Sequence, residues 1–126
     1  MRAGLALLVL WCSAIAAQPA ATQPLAFDRI ESVPGRGWDD ATPPATGWQA
    51  IQLPDDWSQR LPGHDGVVWY RLAWTEPVGQ PLEARGLFLR DLTMAGVVML
   101  NGSEIARDPN LVEPLSRSWN LPRYWR

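Results

Sequence analysis

Proline and glycine interrupt this chain so often that a long helix has nowhere to form: 12 Pro and 10 Gly are spread over 126 residues. Proline fixes φ and removes a backbone donor, glycine opens turns, and the apolar runs between them are short. Their period is two. In residues 67–75, Val68, Tyr70, Leu72 and Trp74 fall on one face, and Val67, Trp69, Arg71, Ala73 and Thr75 on the other. That alternation predicts a half-buried strand. Further strands are expected over 25–30, 48–53, 86–92 and 96–100; the last is apolar on both faces, as a central strand would be. Asn101-Gly102 is a strong hairpin signal, because a type I′ turn needs positive φ twice, and it should fold 103–107 back onto 96–100. Residues 34–47 and 54–66 read as polar loops, and 109–126 show little periodicity. The pattern is that of an all-β chain, an antiparallel β-sandwich.

Composition excludes several classes. A net charge of −2 leaves no basic field for phosphate backbones, so nucleic acid is not an expected partner. Hydrophobics at 47% exclude global disorder. One Cys and one His exclude a zinc finger or multi-His metal site, and no cofactor is implied. Residues 1–17 carry a positive start, the apolar run GLALLVLWC and a small-residue cleavage pattern, the marks of a secretory signal peptide. The run is shorter than the ~20 residues that span a bilayer, and Trp11 before Cys12 argues against a lipoprotein. The exported chain would begin near residue 18 with no cysteine, hence with no disulfide to form.

Residues 18–35 form a lead-in and first strand. Within 36–126, Leu53-Pro54-Asp55-Asp56-Trp57, Trp69-Tyr70-Arg71 and the Asn101-Gly102 hairpin occur in order. Together they resemble the galactose-binding-like jelly roll at the N-terminus of glycoside hydrolase family 2 enzymes. With Arg117-Ser118-Trp119-Asn120-Leu121-Pro122 added, the series also resembles the periplasmic N-terminal domain of bacterial membrane-bound sensor histidine kinases and diguanylate cyclases. The resemblance implies an antiparallel jelly-roll β-sandwich. A jelly roll needs eight strands and about six are found, so its last strands are expected to be missing. It also implies a non-catalytic, periplasmic ligand-sensing domain, the N-terminal fragment of a sensor histidine kinase. The alternative is a carbohydrate-binding accessory domain of a secreted glycoside hydrolase. The implied partner is a small molecule or carbohydrate. Contact with the membrane would come only through a downstream segment, and dimerisation only through the full-length protein.

Candidate ligand-binding residues follow from chemistry. Asp55, Asp56 and Trp57 can offer carboxylate acceptors beside an aromatic platform, the set a sugar uses. Equally, the tryptophan can plug the sandwich while the aspartates cap loop N–H groups. Trp69 and Arg71 share one strand face and can bind by stacking and cation–π contact, or can pack beneath a loop. Arg117, Trp119 and Asn120 either pin the tail or face a ligand. Asp39-Asp40 and Asp55-Asp56 are sequence neighbours, which does not give the opposed carboxyls of glycoside hydrolysis, ~5–9 Å apart. Ser58, His64 and Asp65 lie too close together in one loop to form a triad with fixed geometry. Residues 63–66 lack the spaced ligands of a calcium loop. No catalytic or metal residue is assigned, and Asn101 and Gly102 are read as structural turn residues.

Overall fold

The structure, a computed structural model, describes residues 24–37, 41–79, 85–92, 94–118 and 121–125. The signal segment over 1–17, the cluster Trp38-Asp39-Asp40, and Trp119 and Asn120 lie outside the described residues.

Among the described residues the fold is all-β with a single helical turn. In chain order it runs β1 (Arg29–Pro34), β2 (Gln49–Ala50), α1 (Trp57–Arg60), β3 (Val68–Ala73), β4 (Leu87–Leu89), β5 (Val97–Leu100), β6 (Ser103–Arg107) and β7 (Arg123–Trp125). The described residues form three small sheets, β2-β1-β3, β4-β7 and β5-β6, with every pairing antiparallel. The longest ladder joins β1 to β3, from Arg29 opposite Ala73 to Pro34 opposite Val68. It places Glu31 and Val33 beside Arg71 and Trp69 on one face, and Ile30 and Ser32 beside Leu72 and Tyr70 on the other. The alternation read from residues 67–75 is therefore the pleat of β3.

The first strand begins later than expected, at Arg29, because residues 24–27 find no ladder partner. Among the described residues the segment 96–100 is not a central strand: β5 pairs there with β6 alone. Between them Asn101 and Gly102 have φ of 50° and 85°, the double positive φ of a type I′ turn. Val98 faces Ala106 but Met99 faces Glu104, so Ile105 is the extra residue of a β-bulge. The tail contributes β7, which pairs Leu87 with Trp125 and Leu89 with Arg123.

Burial is concentrated in one place. Among the described residues, Val33 is the buried hydrophobic and Ser32 the buried polar residue, both central in β1 with a strand on either side. The two-stranded sheets stay open: Phe88 is 59%, Met99 47% and Tyr124 61% exposed. No described helix is long and apolar enough to cross a membrane.

Candidate functional site

The motif residues of the 53–57 loop meet the strand motif at one cluster. The segment 54–66, expected to be wholly irregular, contains α1, and the turn forms because Asp56 is its N-cap. The Asp56 carboxylate accepts from Ser58 N at 2.9 Å, from Ser58 Oγ at 2.7 Å and from Gln59 Nε2 at 3.0 Å. These bonds satisfy helix-start donors and hold the Asp56 carboxyl below its ordinary range, the Ser58 hydroxyl being the largest cause. An aspartate with a glutamine three residues on, before a short polar turn, was the sequence signal for this cap.

Asp55 turns the other way, toward β3. Its side chain is 6% exposed. Arg60 grips it with two parallel bonds, Nε to Oδ1 at 2.7 Å and Nη2 to Oδ2 at 2.6 Å. Tyr70 donates its hydroxyl to Oδ2 at 2.5 Å, and Trp57 donates its indole N–H to the Tyr70 oxygen. His64 and Trp57 meet in a T-shaped contact, with ring centroids 6.3 Å apart and planes at 72°. His64 is half-buried, with Nε2 3.1 Å from the Val67 carbonyl, and is not the solvated loop residue its sequence context indicates. The Arg60 guanidinium holds the Asp55 carboxyl below the usual range despite burial, while burial and the bond to Asp55 push Tyr70 up to about 12. The cluster is thus a closed relay of donors and acceptors that fixes the loop on β3. Tyr70 belongs to it and is not an apolar core residue.

On the opposite face of the same sheet lies a second constellation. Arg71 bonds Glu31 through Nε at 2.9 Å and Nη2 at 2.7 Å, and its guanidinium carbon sits 4.2 Å over the ring of Trp48. Trp48 is itself fixed by its indole N–H, which donates to the Pro44 carbonyl at 2.9 Å. Arg29 approaches Glu31 at 3.5 Å. Trp69 shares this face but offers no open polar tip: its indole nitrogen is buried, with no hydrogen-bond partner among the described residues. Arg71 is therefore exposed but engaged, and the tryptophan it stacks on is Trp48, which sequence reasoning had not singled out.

Arg117 stands apart from both groups, 3.8 Å from Glu113, with both side chains well exposed. The structure brings Asp55 and Trp57 together and sets Trp69 and Arg71 on the opposite sheet face. Among the described residues, no three His, Cys, Asp or Glu side chains gather as a metal site.

A third grouping came from no sequence signal. Asp108 follows β6, and its Oδ2 accepts from Gly96 N at 2.7 Å and from Arg123 Nη1 at 2.6 Å. Arg123 Nη2 also reaches the Met94 carbonyl at 3.3 Å. The pair lines a cleft of about 290 Å³ with Val98, Arg107, Tyr124 and Trp125. Fifteen residues separate the partners, and β7 is too short to announce itself by period.

Comparison with protein-family models, with curated proteins and with solved structures finds no match to this chain.

Proposed function

We propose that the chain is a non-catalytic ligand-sensing module built on a galactose-binding-like jelly roll. Within that class, we assign it to the periplasmic N-terminal part of a membrane-bound sensor histidine kinase. The carrying observation is that two of the four motifs behind the resemblance are joined side chain to side chain, through Asp55, Tyr70 and Trp57. Residues that recur together in such domains are then explained by a shared structural task.

The same bonds support the absence of catalysis. A general acid must hold a proton near neutral pH and reach a substrate. Asp55 is nearly buried, kept ionised and committed to Arg60 and Tyr70, and Asp56 is committed to its helix turn. Signalling by such a module requires that the ligand prefer one arrangement of the sandwich over another and so bias the segment that follows.

The test is turnover. The purified chain, offered a panel of nitrophenyl glycosides, should release no nitrophenol above the buffer rate. Hydrolysis that disappears in Asp55→Asn or Asp56→Asn would overturn the non-catalytic assignment.

A further inference from the structure

We propose that the tip of the β5–β6 hairpin is a site of covalent self-modification, at which Asn101 cyclises onto the Gly102 nitrogen and is converted to aspartate and isoaspartate. The inference is independent of the sensor assignment.

Three observations carry it. The chain has three asparagines, at 101, 110 and 120, and only Asn101 precedes glycine; Leu111 and Leu121 follow the others. A glycine nitrogen has no Cβ beside it to obstruct attack, whereas a leucine presents a branched side chain there. The second observation is open space. Asn101, Gly102 and Ser103 are exposed, and a Cβ built on Gly102 would meet no atom within 4 Å. The third is freedom from other bonds. The Asn101 side chain makes no hydrogen bond with a described residue, and the Gly102 N–H donates to none. Asn110 differs, because its backbone is tied at both ends: its N–H donates to Ser116 Oγ at 3.1 Å and its carbonyl accepts from Ser116 N at 2.9 Å. Asp65-Gly66 differs too, since Gly66 is buried against the Gly37 carbonyl.

The step needs no reagent but water. Resonance makes a peptide nitrogen a poor nucleophile until it loses its proton, so the reaction speeds up with rising pH. The Gly102 nitrogen then bonds to Asn101 Cγ, the Cγ–Nδ2 bond breaks, and Nδ2 leaves as ammonia. Water opens the resulting succinimide. Attack at Cγ restores the main chain and gives aspartate, while attack at the main-chain carbonyl gives isoaspartate. Aspartate preserves the hairpin, because Asp-Gly also suits a type I′ turn. Isoaspartate routes the backbone through Cγ and adds a methylene to a two-residue loop. Among the described residues β5 pairs with β6 alone, so no third strand holds Leu100 opposite Ser103 once the loop lengthens.

The test ages the full chain in mildly alkaline buffer, folded and, in parallel, unfolded in guanidinium chloride. Mass spectrometry of peptides then follows each asparagine, and isoaspartate is identified by enzymatic carboxyl methylation. Asn101 should convert while Asn110 and Asn120 stay intact. The folded rate should fall within about tenfold of the unfolded rate, a barrier difference below roughly 1.4 kcal/mol. Gly102→Ala should slow the conversion by about tenfold or more. Asn101→Gly keeps a Gly-Gly turn and should release no ammonia. A folded chain that retains Asn101 while the unfolded chain converts it would overturn the proposal. So would Asn110 converting as fast as Asn101, or Gly102→Ala converting at the wild-type rate.

Discussion

Removing the charge of Asp55 is the most informative perturbation of this fold. In Asp55→Asn the side-chain shape is kept, but the bidentate bond with Arg60 loses its anion and an amide N–H₂ is brought against a guanidinium. Breaking a fully buried pair by removing one partner costs about 3–5 kcal/mol. Here Asp55 is 6% exposed but Arg60 is 23% exposed, so water screens part of the stranded charge. A hydrogen bond to a charged group contributes about 1.5–3 kcal/mol, and the Tyr70 hydroxyl is weakened as well. We expect a loss of about 2–4 kcal/mol, a large share of the roughly 5–15 kcal/mol that holds a typical domain together. Chemical denaturation followed by tryptophan fluorescence measures it, and the matching fall in Tm is roughly 8–16 °C. The acid limb supplies an independent check. The folded-state pKa of Asp55 lies below its unfolded value of 3.8, with the Arg60 hydrogen bond the largest cause. Its contribution is therefore present in full above that value and is lost as pH falls through the folded pKa. Wild type should lose stability over that window, and Asp55→Asn should lose less. A variant within about 0.5 kcal/mol of wild type, with an unchanged acid limb, would refute the reasoning.

Other outcomes follow from single contacts. Tyr70→Phe should cost about 1–2 kcal/mol by denaturant titration, since it removes a donor to Asp55 and the acceptor of the Trp57 N–H. Gly66→Ala should cost about 1–3 kcal/mol in the same assay, because Gly66 is buried at φ +142° and a Cβ there would lie 3.3 Å from the Gly37 carbonyl oxygen. Gly102→Ala, at φ +85° with open space around it, should cost about 1 kcal/mol and leave the β5–β6 register unchanged by nuclear Overhauser contacts. A fusion of alkaline phosphatase after codon 126 should be active in a bacterial host, as export by residues 1–17 requires, and deleting those residues should abolish the activity.

The sequence was most legible where a rule is local. The period-two run over 67–75 became β3, and Asn101-Gly102 turned the chain as their steric freedom dictates. It was least legible where structure depends on partners distant in the chain. No local signal says that Asp108 will meet Arg123, or that the three residues of β7 will find Leu87 and Leu89. The candidate site was half readable. Asp55, Trp57, Trp69 and Arg71 were singled out by residue type, but type alone does not distinguish a ligand platform from a lock. Arg60, Tyr70 and Trp48 engage those residues in the folded chain, and each acts through an approach that only the folded chain provides.

The most direct test of the sensor assignment is the reading frame after codon 126, followed in phase through the gene. The account predicts closing strands, an apolar stretch of ~20 residues able to span a bilayer, and then a cytoplasmic domain with a phospho-accepting histidine. An α/β barrel with acidic residues at its strand ends, or a stop codon at 127, would contradict it.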